Sequence, residues 1–196
     1  MKVVIIKSLN NNFKSIIYSL KNIGINPILT DNKIKIKNSN KLIISNFLSI
    51  KKSLLFIIKN KLDKIIYNFK KPVLAISNGL YILCYYINNI KGLNIFKNTK
   101  VKNIYNINKK KKNNIGWNKI YHNNDEKLFK GINNNIYQYF IDYYYIPIGA
   151  YCISHTNYII SYCSSLKKKN FYGLQFYPEF SGYFGRKILK NFIYLI

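Results

Sequence analysis

Arginine is almost missing from this chain. Of its 32 basic residues only Arg186 is an arginine, and six acidic residues leave a formal net charge of +26. A charge of that size points toward nucleic acid or an anionic membrane. The shortage of arginine argues against both, because proteins that read phosphates and bases lean on its bidentate fork. Neither clustered arginines nor base-stacking motifs are visible, so a nucleic-acid partner is not expected. Alanine is equally scarce, with Ala75 and Ala150 alone. Isoleucine, asparagine, lysine and tyrosine, all with AT-rich codons, fill the chain instead. An AT-biased genome drifting tolerant surface positions toward lysine and asparagine accounts for the charge, which would still help an acidic partner dock.

Cysteine is limited to Cys84, Cys152 and Cys163, an odd number without metal or redox spacing. They read as buried thiols in a reducing cytoplasm, Cys84 within a helix. His122 and His155 stand far apart in polar loops and turns, so neither a metal nor a cofactor is expected. The first apolar run ends at Ile6 and meets Lys7, too short for a signal peptide. The longest uncharged run, Tyr143 to Leu166, is broken by Pro147, Gly149, Asn157 and several serines. It reads as successive strands rather than a membrane span.

What is present suffices for one full core: 196 residues, 48% of them hydrophobic. Val3 to Ile6 reads as a buried strand. Phe13, Ile16, Ile17, Leu20 and Ile23 then recur at helical spacing, with Asn12 as N-cap and Gly24 as stop. Ile25 to Leu29 is a second strand, and Pro27 puts it at a sheet edge. Lys41 to Ile44 is a third. Leu55, Ile58, Leu62, Ile65, Ile66 and Phe69 predict one amphipathic helix from Ser53 to Phe69. Strand–helix alternation with fully apolar strands argues for a mainly parallel sheet covered on both faces. The second half differs. Lys109 to Asn114 is a solvated connector. Strands follow near Tyr137–Tyr145, Ala150–Ser154, Tyr158–Tyr162 and Phe171–Phe176, and a closing helix carries Ile188, Leu189 and Phe192. Of Tyr143, Tyr144 and Tyr145, two are expected to pack inside. No repeat or linker divides residues 1–196, which read as a single domain.

Pro72 to Leu83 organises the rest. A buried strand, Val73 to Ile76, runs into a helical pattern from Leu80 across only Ser77, Asn78 and Gly79. That is the shape of a nucleophile elbow, with Ser77 raised and small residues at Ala75 and Gly79 where the chain arms nearly touch. An ordinary strand–turn–helix junction has the same outline. A serine hydrolase using Ser77 would fit the elbow but lacks a histidine in the right chain position.

The order of landmarks resembles the class I (triad) glutamine amidotransferases, in the branch that serves imidazole glycerol phosphate synthase. Asn12-Phe13-Lys14-Ser15, Gly116-Trp117-Asn118, Leu128-Phe129-Lys130-Gly131-Ile132, Tyr144-Tyr145, Asn170 to Phe176 and Lys187 to Phe192 fall in family order over nearly the whole chain. The resemblance implies a three-layer α/β/α fold with a mixed, mainly parallel sheet. It also implies glutamine hydrolysis to glutamate and ammonia, and a heterodimer with a cyclase subunit.

Carried over position by position, the catalytic cysteine is Ser77, the histidine is Tyr177 and the orienting glutamate is Glu179. The substrate-binding positions are Gly79 and Tyr81, the latter glutamine in the family. The oxyanion turn falls at Ser45-Asn46-Phe47-Leu48 without its glycines. Gly116, Trp117, Asn118 and Phe180 are the partner-facing positions, and for Trp117 a buried core role is equally open. A serine hydroxyl needs a positioned base, and a phenol with a pKa near ~10 is a poor one. Two readings follow: a subunit with weak or absent glutaminase activity, or a non-catalytic partner that stabilises an ammonia-using cyclase.

Overall fold

The computed structural model describes residues 1–7, 13–45, 49–87, 89–107, 113–122 and 125–196. The N-cap at Asn12, most of the oxyanion turn (46–48) and the body of the connector (109–112) lie outside them.

In chain order the strands are β1 (Val3–Ile6), β2 (Ile28–Thr30), β3 (Lys41–Ile44), β4 (Val73–Ile76), β5 (Cys84–Ile87), β6 (Ile90–Lys91), β7 (Phe96–Asn103), β8 (Asn114–His122), β9 (Ile136–Asp142), β10 (Tyr144–Tyr145), β11 (Cys152–Tyr158), β12 (Ile160–Lys168) and β13 (Phe171–Leu174). The α-helices are α1 (Lys14–Lys21), α2 (Lys33–Lys37), α3 (Ile50–Lys59), α4 (Leu62–Tyr67), α5 (Asn78–Leu83) and α6 (Gly182–Tyr194). A nine-stranded sheet runs β2-β1-β3-β4-β13-β12-β11-β8-β9, and a four-stranded one runs β10-β7-β5-β6.

Side chains alternate across the main sheet and build a core on each face. Val4, Ile6, Leu42, Ile44, Val73 and Ala75 face one way, onto Leu54 and Ile57 of α3 and Leu62, Ile65 and Ile66 of α4. Val3, Ile5, Ile43, Leu74 and Ile76 face the other, onto Ile16 and Leu20 of α1 and Ile188, Leu189 and Phe192 of α6. Each fully buried side chain of this kind contributes about 1.5–3 kcal/mol before entropy is set against it. The result is a three-layer α/β/α fold around a mixed sheet, with β2, which Pro27 precedes, at its edge.

Several expectations need correction. The sheet is not mainly parallel: β2-β1, β1-β3, β3-β4 and β4-β13 pair parallel, and β13-β12, β12-β11, β11-β8 and β8-β9 pair antiparallel. β11 and β12 are joined by one residue and β12 and β13 by two, which permits hairpins but not crossovers. The single helix from Ser53 to Phe69 is two, because Asn60 caps α3 by donating Nδ2–H to the Phe56 carbonyl (2.8 Å) and Lys61 turns left-handed (φ +54). That break resets the helical phase, so Leu55 and Ile58 point outward while Leu54 and Ile57 are buried. The helix after the elbow is only six residues long, and Cys84 opens β5 instead of lying in it. The final strand stops pairing at Leu174, two residues early. His155 lies within β11, stacked on Tyr121, and His122 closes β8, buried and stacked on Phe129. Of the three tyrosines, Tyr145 packs on Tyr162, Tyr144 meets Tyr81 edge-on and Tyr143 is exposed.

Candidate active site at the end of the central strands

β4 and β13 are adjacent and parallel, with Ala75 opposite Gly173 and Ile76 opposite Leu174. Their carboxyl ends therefore deliver Ser77 and the 175–179 segment to one place, where open α/β sheets usually hold their sites. The Ser77 N–H donates to the Leu174 carbonyl (2.8 Å). Ser77 itself adopts φ +50, ψ −117, a backbone that non-glycine residues rarely take. The elbow is real, and its tightness is visible at Gly79: a Cβ there would stand 2.1 Å from the Ile44 carbonyl oxygen. One at Gly173 would stand 2.3 Å from Leu80 Cδ1, so β13 needs its glycine to pass the helix that follows the elbow.

Ser77 is 2% exposed. The Tyr177 hydroxyl donates to Ser77 Oγ at 2.9 Å. Burial, and then the nearby Asp142, push the Tyr177 phenol far above its ordinary pKa, so it keeps its proton. Glu179 follows on the short 3₁₀ turn Pro178–Phe180. Both its carboxylate oxygens are buried without a hydrogen-bond partner. Burial raises its pKa to about 7. The cause is countable: an imidazole has two ring nitrogens, one for the nucleophile and one for a carboxylate, whereas a phenol has a single hydroxyl. Tyr177 spends that hydroxyl on Ser77, and Glu179 is left over.

The residue that sequence reasoning missed is Asp142, at the end of β9. It is 1% exposed. Ser77 Oγ donates to its Oδ1 at 3.4 Å, and the Tyr81 hydroxyl donates to the same oxygen at 2.8 Å. Burial raises its carboxyl to about 8 against the pull of those two bonds. Tyr81 also lies 3.1 Å from Gln175 Oε1 and 3.3 Å from the Tyr144 carbonyl, while Gln175 Nε2 donates to the Cys163 carbonyl. β9 is the far edge of the main sheet, four pairings from β13. It reaches the site because the antiparallel half curls back, and the Tyr177 N–H donates to the Tyr139 carbonyl of β9 at 2.8 Å. No spacing in the sequence announces a contact made by closing a sheet on itself.

The positions expected to face a partner share one region. Trp117 is 52% exposed, which removes a buried core role, and it meets Tyr139 edge-on. Tyr139 in turn meets Phe180, 43% exposed, which packs against Tyr177. An aromatic row thus runs from the edge strands to the site. Gly116 adopts φ +129, and Asn118 Nδ2 donates to Asn114 Oδ1 (2.6 Å).

A model of the class-I glutamine amidotransferases matches residues 4–196. The chain belongs to that family. It is 32% identical over 197 residues to imidazole glycerol phosphate synthase subunit HisH of Bacteroides fragilis, covering all of both chains. It is 33% identical to the protein of the same name from Buchnera aphidicola, covering 98% of this chain and 99% of the relative. PurLQS from Thermotoga maritima shares the fold, with a TM-score of 0.71 at 15% identity over 100% of this chain and 99% of that one. Among the described residues no helix is long and apolar enough to cross a membrane.

Proposed function

We propose that residues 1–196 form a single-domain glutamine amidotransferase subunit of an imidazole glycerol phosphate synthase, acting in the cytoplasm as a heterodimer with a cyclase subunit. Its own glutaminase activity is weak or absent. The full-length likeness to proteins of that name supports the pairing. The observation that carries the loss of activity is that the side chain facing Ser77 Oγ, at 2.9 Å, is a buried phenol that keeps its proton. A general base must accept the nucleophile's proton, and the Tyr177 hydroxyl instead donates to Ser77. Losing members of such a triad typically costs on the order of 10⁴ to 10⁶ in rate. Tyr81 further replaces a glutamine-contacting side chain with a phenol already bonded to Asp142.

A second reading is a non-catalytic partner that binds and stabilises a cyclase using free ammonia. The isolated Glu179 carboxylate and the exposed Trp117 and Phe180 beside it favour this reading. In it Gly116, Trp117, Asn118 and Phe180 still meet the cyclase, as the family resemblance implies.

Glutamate release from glutamine, measured with the cyclase and its ribonucleotide ligand present, tests both. Slow turnover that Ser77→Ala abolishes supports a weakened enzyme. No turnover from either chain, with the cyclase still co-purifying, supports the non-catalytic partner. Turnover at a normal family rate would overturn both.

A further inference from the structure

Ser77 Oγ has a donor on one side and an acceptor on the other. Tyr177 donates to it at 2.9 Å, and it lies 3.4 Å from Asp142 Oδ1. Because Tyr177 supplies its own proton to that contact, the Ser77 proton has Asp142 as its destination. Asp142 is held for the task. Tyr81 anchors the same carboxylate oxygen from the helix behind the elbow, and Oδ2 is buried without a hydrogen-bond partner, free to share charge. Distances between nucleophile and base are often long before substrate binds and tighten afterwards.

We propose that Asp142 is the catalytic base of a Ser77–Asp142 dyad that acts on a carboxamide, in place of the histidine and glutamate positions. The proposal rests on the reading of Ser77 as the attacking residue of an amidotransferase subunit, and it assigns any residual turnover to Asp142. In the first half-reaction Ser77 Oγ attacks the amide carbon and its proton passes to Asp142 Oδ1. The carbon–nitrogen bond then breaks, and Asp142 returns that proton to the leaving nitrogen, which departs as ammonia and leaves an acyl ester on Ser77. In the second, water adds to the ester and gives a proton to Asp142. The ester bond breaks, and that proton returns to Ser77 Oγ as the acid departs. Tyr177 keeps its proton throughout and orients Oγ.

The titratable groups around Asp142 are the phenols of Tyr81 on α5, Tyr162 on β12 and Tyr177 after β13. Burial raises all three, so none changes charge near neutrality. The pH response of the dyad therefore belongs to Asp142, whose carboxyl ionises near 8.

The test is labelling of Ser77 by a fluorophosphonate probe, read by peptide mass spectrometry on the full chain. Ser77 Oγ displaces fluoride from phosphorus and Asp142 takes the proton, so no glutamine is required. The expected labelling is specific to Ser77, rises with pH through about 8 and falls by about a hundredfold or more in Asp142→Asn. Asparagine keeps an oxygen for the Tyr81 hydroxyl, and circular dichroism verifies that the variant is folded. The wild-type pH profile is a second readout that needs no variant. Labelling that is absent, flat with pH or unchanged in Asp142→Asn overturns the dyad. Cyclase co-purification, measured on the same preparations, reports separately on the subunit reading. Retained binding with no labelling removes the dyad alone, and lost binding with Asp142-dependent labelling removes the subunit reading alone.

Discussion

The two halves of the main sheet differ in what they bury. β1, β3 and β4 bury every residue, and all but Lys41 at the start of β3 are apolar. The antiparallel strands bury Asn114, Gln138, Asp142, Ser154, Thr156, Ser164 and Ser165. Many of these satisfy one another: Ser154 Oγ lies 2.6 Å from Ser164 Oγ and 2.7 Å from Ser165 Oγ, and Asn114 Nδ2 donates to the Tyr162 hydroxyl at 2.6 Å. Others do not, since both amide atoms of Gln138 and Asp142 Oδ2 have no partner. The parallel half thus sets geometry by steric contact alone. The antiparallel half sets chemistry, and it tolerates polar cost to do so. A change in the first half should break the fold, and a change in the second should alter ionisation or binding while the fold survives.

The harshest way to test that division is Gly79→Ala. Its Cβ would stand 2.1 Å from a backbone oxygen of β3, an atom that cannot turn aside. The expected result is loss of a cooperative urea transition, at the severe end of single-residue effects, beyond about 4 kcal/mol. Retained cooperative unfolding would mean that the elbow yields more than its contacts suggest.

Next in size comes pH. Asp142 (about 8) and Glu179 (about 7) hold protons in the folded state that an unfolded carboxyl releases near ~4. The folded state therefore binds more protons across that window. The stability these two groups contribute is fully present below pH ~4 and is lost as pH rises through 7 to 8. Asp142→Asn removes that loss. Relative to wild type it should gain up to about 4 kcal/mol between pH 5 and pH 9, and Glu179→Gln somewhat less. Parallel Tm curves for wild type and variants over that range would show that the two carboxyls are not desolvated in the folded protein.

The smallest expected stability effect is at the aromatic row. Trp117→Ala should shift unfolding by about 1 kcal/mol, because the residue is 52% exposed and its ring contact is the edge-on one with Tyr139. On the proposed pairing with a cyclase it should nevertheless weaken binding by about tenfold or more, as truncation of a hot-spot aromatic does. Unchanged affinity would move the interface elsewhere.

The same division separates what the amino-acid sequence makes legible from what it conceals. The elbow is legible because it is local: Ala75, Ser77 and Gly79 lie within five residues, and their small size answers a contact made by the same stretch of chain. The edge position of β2 is legible through Pro27 for the same reason. The break at Lys61 is not, because a left-handed lysine leaves no compositional mark and the apolar spacing runs on through it. Asp142 is hidden more deeply. It is a single acid in a tyrosine-rich strand, 65 residues from Ser77, and it arrives there only because a sheet edge closes back on the centre.

The strained turn at Ser77 has a last consequence. Holding a serine at φ +50 costs on the order of 1–3 kcal/mol, and the surroundings leave it no single exit. Its N–H is bonded to β13, Gly79 is pressed on β3, and Leu80 fills the space above Gly173. Relaxing the turn would require three neighbouring segments to shift in one step. The elbow therefore behaves as a ratchet: its shape persists by mechanical interlock, whichever side chain occupies its tip.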